Sequence, residues 1–149
     1  MARAKSRSAR MQMLESLTDN EVKILATQMG HHAAQLRDSE AQLSDLETYL
    51  DGCEIAPVGQ GQASVSALQL VEKHAFLQRL RQAVAAQQTV VLDARTRYEA
   101  VRAQWLAKHL RGTALGKAVQ RFQKEETQEV ERREQRLQDE TASRILQPR

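Results

Sequence analysis

The chain has few of the residues that break helices or build compact cores. Its 149 residues include two prolines, six glycines and one cysteine, and aromatic residues make up only 3%. A compact domain with a deep pocket usually depends on buried aromatic side chains, so this composition argues against one. The single cysteine cannot form an internal disulfide and suits a reducing compartment. No stretch approaches the roughly 18 apolar residues that would indicate a membrane-spanning helix.

Charge is abundant but nearly balanced. Charged residues make up 28% of the chain, and the net charge is +3. Four basic residues and no acidic residue lie within residues 1–10, which leaves 18 basic against 19 acidic residues elsewhere. This balance is not that of a nucleic-acid-binding protein, and we expect no nucleic-acid partner. The basic start is expected to be attracted only weakly to an anionic membrane surface.

What the chain does contain is two long helical patterns. Residues 64–147 include no proline, and their length far exceeds that of an average globular helix, which indicates a coiled coil. Residues 10–51 are predicted as helix 1 because steps of three and four residues connect a largely apolar set: Val22, Leu25, Met29, His32, Leu36, Ser39, Leu43, Leu46 and Leu50. Met11, Leu14 and Leu17 fall outside that spacing, so we expect a slip or looser packing there.

A loop is predicted at residues 52–63, between the two helices. Gly52 is expected to end helix 1 in a left-handed conformation. The loop also contains Pro57, Gly59 and Gly61, which do not favour a continued helix. Ser64 or Ser66 is predicted to cap helix 2, which should run from about residue 64 to 147.

The predicted helix 2 carries an apolar seam in its first half. The seam follows the same three–four spacing through Leu77, Leu80, Val84, Gln87, Val91, Ala94, Tyr98, Val101 and Trp105. Folding the chain back near residue 58 sets Met11 opposite Trp105, so pairing is expected to end at about residue 106. The sequence therefore predicts an all-α fold with one domain over residues 1–149. Its form is a long antiparallel two-helix coiled coil, an α-hairpin in which helix 2 overhangs helix 1.

The predicted overhang has a different character from the paired part. Gly112 and Gly116 are expected to bend or loosen the helix. Residues 120–144 include thirteen charged residues, seven acidic and six basic, with few apolar residues between them. We interpret this segment as a single helix that offers its surface to a partner.

Catalytic and metal-binding patterns are not recognisable in the sequence. There is no glycine-rich phosphate loop, no paired cysteine and no nucleophile elbow. His31 and His32 are adjacent, so on a helix they point about 100° apart and do not jointly bind one metal. We expect no enzymatic activity, no cofactor and no metal. Phe76, which flanks the seam one turn before Leu80, is a candidate aromatic anchor for a partner.

Two short motifs lie near the start and the end of helix 2. Residues 76–80 read F-L-Q-R-L, and residues 131–142 read E-R-R-E-Q-R-L-Q-D-E-T-A. They are similar to an F-x-x-x-L pattern and an E-Q-x-x-x-D-E-x-A ending, and Tyr49-Leu50 closes helix 1. In these motifs, in its length and in its predicted hairpin, the chain resembles the FliJ family of the flagellar type III export apparatus.

The resemblance implies a non-enzymatic stalk similar to the γ subunit of F-type ATPases. Its implied partners are the export ATPase hexamer, the cytoplasmic domain of the export gate and the export chaperones that it escorts. Phe76 and Leu80 match the positions tied to the gate. The first turns of helix 1 and the overhang of helix 2 match the part expected inside the ATPase ring. The overhang contains the motif residues Glu134, Gln135, Asp139 and Glu140. The implied location is the cytoplasm, peripheral to the inner membrane through these partners.

Two other functions remain open at this point. The first is the equivalent stalk of a virulence type III injectisome, which has the same shape and whose partners belong to a different secretion system. The second is a generic coiled-coil scaffold that dimerises through its long helix. The scaffold needs a seam that continues past Trp105, which the sequence is predicted not to have.

Overall fold

The computed structural model describes residues 6–55 and 66–147, and these form two α-helices. Helix α1 spans Arg7–Ile55 and helix α2 spans Ala67–Leu146. The two helices pack against each other as an α-hairpin, and the described residues include no strand. The predicted fold class is therefore confirmed. The predicted Pro57, Gly59, Gly61 and Ser64 features of the loop lie outside the described residues.

Serine side chains begin both helices. The Ser6 hydroxyl oxygen accepts a hydrogen bond from the Ala9 amide at 3.1 Å, which caps α1. At α2, the Ser66 hydroxyl accepts from the Gln69 amide at 3.2 Å, and the Gln69 side-chain oxygen accepts from the Ser66 amide at 3.1 Å. This reciprocal pair is a capping box, so the predicted Ser66 cap is confirmed.

The end of α1 differs from the prediction. The helix continues through Gly52 to Ile55 instead of ending at residue 51. A β-carbon added at Gly52 would meet nothing within 4 Å, so no packing contact requires glycine there. An isolated glycine lowers helix stability by about 1 kcal/mol without stopping the helix, and the flanking residues of α1 outweigh that amount.

Contacts between the helices divide into two units, one comprising Met1–Ile24 with Trp105–Arg149 and the other Leu25–Gln104. In the second unit, the residues with the least exposed side chains on α2 are Leu80, Val84 and Val91, all of which were predicted seam positions. The α1 positions of the predicted seam in this unit, from Leu25 to Leu50, are all half-buried. Sequence spacing thus identified the inward faces of both helices here.

Polar contacts border the apolar seam of the second unit. The Gln87 amide donates to the Ser39 carbonyl at 3.0 Å, so the one polar α2 position in this stretch of seam has a partner on α1. Ion pairs join Glu40 to Arg95 at 3.0 Å. A further pair joins Glu54 to Arg81 at 2.6 Å. From the first pair to the second, the residue number rises on α1 from Glu40 to Glu54 and falls on α2 from Arg95 to Arg81. The two helices therefore pair antiparallel.

In the first unit, small and polar residues occupy several positions of the seam. Thr18 and Ser8 are buried on α1, each with 7% of its surface exposed, and Val119 is buried on α2. A β-carbon at Gly112 would lie 3.5 Å from the Thr18 methyl carbon, and one at Gly116 would lie 3.0 Å from a Glu15 carboxylate oxygen. The two glycines therefore lie against α1 and allow a close approach. Helix α2 continues unbroken through both.

Of the slip or looser packing predicted near the start of helix 1, the slip is wrong. The buried and half-buried positions of α1 keep the three–four spacing through Ser8, Met11, Glu15, Thr18 and Val22. Leu14 and Leu17 are exposed because they lie outside this inward face. The prediction failed because it looked for apolar residues at positions that this helix fills with serine, glutamate and threonine.

The predicted end of the seam at Trp105 is also wrong. On α2 the same spacing continues through residues that are half-buried or buried: Lys108, Gly112, Leu115, Val119, Phe122 and Glu126. The Glu126 carboxylate accepts hydrogen bonds from Ser8 near the start of α1, so the helices remain paired well beyond residue 106. Lysine and glycine at two successive seam positions concealed the pattern in the sequence.

The corrections to the slip and to the end of the seam both follow from one difference, which is that the observed register of α1 against α2 is not the predicted one. The predicted fold-back set residue 21 opposite residue 95, whereas Glu21 is paired with Lys108. It set residue 8 opposite residue 108, whereas Ser8 is paired with Glu126. A regular heptad seam keeps its apolar spacing when one helix slides by a multiple of seven residues. The register is therefore decided by individual contacts, which the spacing does not specify.

Truncation at two points tests where pairing ends. A chain that ends at Thr127 keeps every contact of α2 with α1 described above, and we expect its stability against urea to match that of the full chain. A chain that ends at Ala118 lacks Val119, Phe122 and Glu126, and we expect it to lose at least about 2 kcal/mol of unfolding free energy. Circular dichroism at 222 nm measures both. Equal stabilities of the two truncated chains would contradict pairing to Glu126.

Candidate partner-binding surfaces

The two residues predicted to contact the export gate have different environments. Phe76 lies on the surface with 44% of its area exposed, whereas Leu80 is only 8% exposed. The Phe76 ring meets the Tyr49 ring of α1 edge to face, with 6.3 Å between centroids and 87° between planes. An aromatic pair from both helices is therefore open to a partner, while Leu80 lies in the seam beneath.

A shallow depression lies beside this aromatic pair on α1. It is lined by Asp45, Thr48, Tyr49, Gly52 and Cys53. Gly52 has no side chain, and nothing would contact a β-carbon there, so the helix surface is open next to the Tyr49 ring. The depression extends the surface on which Phe76 lies.

Substitution to alanine separates the roles of Phe76 and Leu80. Leu80→Ala removes buried methyl groups from the seam, and we expect a loss of about 2 kcal/mol or more of unfolding free energy. Phe76→Ala removes a half-exposed ring and its contact with Tyr49, with an expected loss of about 1 kcal/mol or less. Urea titration of both variants measures the difference. A Leu80→Ala chain as stable as wild type would contradict burial of that side chain.

The four predicted residues near the end of α2 do not share one face. Glu134, Gln135, Asp139 and Glu140 are all exposed, in a part of α2 where every described residue after Glu126 is exposed. On a helix with 3.6 residues per turn, Gln135 and Asp139 lie close together, whereas Glu134 and Glu140 lie about 120° apart. Glu140 is engaged in an ion pair with Arg144 at 2.6 Å. A single flat partner surface therefore reaches Gln135 and Asp139 together but not all four residues.

The point where pairing ends is a polar contact that sequence reasoning missed. The Glu126 carboxylate accepts a hydrogen bond from the Ser8 amide at 3.0 Å and another from the Ser8 hydroxyl. Hydrogen bonds from the Ser8 side chain, and then from its backbone, hold the pKa of Glu126 below its ordinary value of 4.5. A carboxylate at the first turn of a helix also interacts favourably with the helix dipole. Ser8 and Glu126 are 118 residues apart, so no local pattern reveals the contact.

A second carboxylate forms a bridge across the same unit. Glu21 pairs with Lys108, which occupies an inward position of α2. The hydrogen bond and the positive charge of Lys108 lower the pKa of Glu21, and the charge of Arg111 adds to the effect. Lys108 thus extends its ammonium group to the edge of the seam, where Glu21 meets it.

Acid titration tests the Glu126 cap. Because folding lowers the pKa of Glu126, its contribution to stability is fully present above pH 4.5 and is lost as pH falls through the lower folded pKa. We expect the Ser8 amide proton resonance to shift in NMR spectra with a midpoint below pH 4.5.

Two variants control this titration. Glu126→Gln is expected to abolish the shift of the Ser8 resonance, and Glu125→Gln is expected to preserve it. A midpoint at or above pH 4.5 would contradict the cap.

The described residues offer no helix that is long and apolar enough to cross a membrane. Within residues 6–55 and 66–147, no group of three or more His, Cys, Asp or Glu side chains is arranged to hold a metal ion. The two candidate surfaces for partner binding are the Tyr49–Phe76 pair in one unit and the unpaired end of α2 in the other.

The helices and their seam define the chain as a two-helix antiparallel coiled coil whose exposed features are suited to contacts with other proteins. Comparison with protein families gives a match to the flagellar FliJ protein over residues 7–149. The chain belongs to the FliJ family. Membership implies a non-enzymatic component of the flagellar protein export apparatus. Searches of curated proteins and of solved structures returned no match.

Proposed function

We propose that this protein is the stalk that couples the export ATPase ring to the export gate and escorts export chaperones during flagellum assembly. Family membership supports the export apparatus as its setting. The observation that supports a coupling role most directly is the end of α2. After Glu126, every described residue up to Gln147 is exposed, although the segment is helical to Leu146.

The charge of this unpaired segment suits a contact that must also release. Ion pairs four residues apart, Glu129–Arg133 and Glu140–Arg144, neutralise much of its charge within the helix. Such exposed pairs contribute only a few tenths of a kcal/mol each, so a partner can replace them at little cost. We propose that this segment enters the ATPase ring, with Gln135 and Asp139 on the contacting side, and that Glu134 and Glu140 face other subunits of the ring.

The gate contact is assigned to the other unit. Phe76 supplies an exposed aromatic ring supported from beneath by the seam that contains Leu80. Aromatic side chains of this kind are typical anchors of protein interfaces. Leu80 then acts by holding the helices together below the contact. The proposed location is the cytoplasm at the face of the inner membrane, where the gate would retain the protein.

The injectisome stalk is the second candidate, because the same two surfaces suit the equivalent partners of that system. The family match favours the flagellar system. One observation favours the generic scaffold, because the seam continues past Trp105. That continuation is filled by α1 as far as Glu126, however, so it is not free for dimerisation.

Deletion of the gene in its native host tests the proposal. We expect loss of swimming and of extracellular flagellin, with secretion of virulence effectors unchanged and both flagellar defects restored by the wild-type gene. Loss of effectors alone would assign the protein to an injectisome. Unchanged motility and secretion would exclude both stalk functions and leave the scaffold.

Binding assays with purified partners test each surface separately. The chain that ends at Thr127 is expected to lose binding to the export ATPase and to keep binding to the gate domain. Phe76→Ala should lose binding to the gate and keep binding to the ATPase, whereas Val90→Ala, at a similarly exposed apolar residue of α2, should lose neither. Retained ATPase binding by the truncated chain would refute the assignment of the unpaired segment.

A further inference from the structure

One side of the first unit combines exposed leucines with arginines. On α1, the three–four spacing that keeps residues on one side connects Arg7, Arg10, Leu14, Leu17, Glu21 and Ile24. The exposed fractions of the three apolar members are 45% for Leu14, 56% for Leu17 and 59% for Ile24. These side chains lie outside the seam, and α2 does not cover them.

Helix α2 supplies basic residues next to this row. The same spacing on α2 connects Arg111, Ala114, Ala118 and Arg121. Two contacts show that the rows border each other. The guanidinium carbons of Arg7 and Arg121 lie 4.6 Å and 5.2 Å from the centroid of the same Phe122 ring. We name these two rows together the basic–apolar face.

The positive charge of this face is not balanced within the unit. Residues 105–124 of α2 contain five basic residues and no acidic residue. Of these five, only Lys108 forms an ion pair within the described part of the chain, with Glu21. Lys117, Arg121 and Lys124 follow one another at four and three residues along the helix, so like charges are neighbours there, and the first acidic residue after them is Glu125. This stretch of α2 therefore carries an excess of positive charge that an anionic surface would attract.

We propose that the basic–apolar face binds directly to the surface of a membrane containing anionic phospholipids. Lysine and arginine beside exposed leucines are the composition of helices that lie in the headgroup layer. The face extends over about 20 Å from Arg10 to Ile24, at 1.5 Å per residue, and is two helices wide, which spans several headgroups.

A membrane fits this face better than an acidic helix does. Helix binding requires an apolar groove that receives side chains. Here Leu14, Leu17 and Ile24 protrude from α1, and α2 presents alanines flanked by arginines. Protruding leucines insert between headgroups while the arginines bind phosphates. This direct lipid contact goes beyond the proposed function, in which the gate retains the protein at the membrane.

Sedimentation with vesicles tests the proposal. We expect the full-length protein to bind vesicles that contain both phosphatidylglycerol and phosphatidylcholine, and not to bind vesicles of phosphatidylcholine alone. The bound protein should dissociate as the salt concentration rises. Arg10→Gln, Arg111→Gln and Arg121→Gln combined should weaken binding by roughly fivefold per arginine. Leu14→Ser with Leu17→Ser should weaken it by about tenfold or more, because apolar insertion is lost.

Control variants away from the basic–apolar face test whether vesicle binding depends on that face. Leu106 is 48% exposed on the opposite side of α2, so Leu106→Ser should bind like wild type. Arg37→Gln, Arg132→Gln and Arg136→Gln combined remove the same charge away from the face and should reduce binding little. Circular dichroism confirms that each variant remains helical.

Three results would overturn the proposal. They are failure of the wild-type protein to bind anionic vesicles, equal weakening by the two arginine triples, and full binding by the leucine variant. Suppose that the wild-type protein does not bind vesicles and that the variant with Arg10→Gln, Arg111→Gln and Arg121→Gln loses binding to the purified export ATPase. The basic–apolar face then binds a protein partner and not a membrane. Deletion phenotypes are independent of this assay, so its failure leaves the proposed stalk function standing.

Discussion

The structure depends on a narrow seam between two helices that have only each other to pack against. Even the best-buried side chains, Leu80, Val84, Val91 and Val119, keep a few per cent of their surface exposed. Each layer of such a seam contributes little, so the fold requires many layers in one register. Most of both helices is committed to this pairing, which leaves one side of each helix and the end of α2 for partners.

Within that constraint, the two units obtain their register in different ways. In the unit that contains Leu80 and Val91, apolar layers dominate, and the Gln87–Ser39 hydrogen bond adds a specific polar pair. In the other unit, specificity comes from shape and charge, through the approach of Gly112 to Thr18 and the capping of Ser8 by Glu126. Polar contacts of this kind stabilise less than apolar burial does, but they are satisfied only in one alignment.

This arrangement assigns separate tasks to neighbouring residues. Phe76 and Leu80 stand one helical turn apart, yet the ring of Phe76 meets solvent and Tyr49 whereas Leu80 is buried. A loss of function at Leu80 would therefore report on the fold, and a loss at Phe76 would report on a contact. At the other surface, the glycines of α2 allow α1 to approach closely, and the Ser8–Glu126 contact marks the point after which the described part of α2 is unpaired.

The helical class, the two helices and the inward faces from Leu25 to Leu50 and from Leu77 to Trp105 follow from the amino-acid sequence alone, because heptad spacing is a local property of the chain. The sequence did not determine the register, since sliding by whole heptads preserves that spacing. The folded structure was needed to show that Ser8 meets Glu126, that Lys108 and Gly112 belong to the seam, and that Leu14 and Leu17 are exposed. These outcomes depend on which residues of two distant segments fit together, and only the folded chain brings those segments into contact.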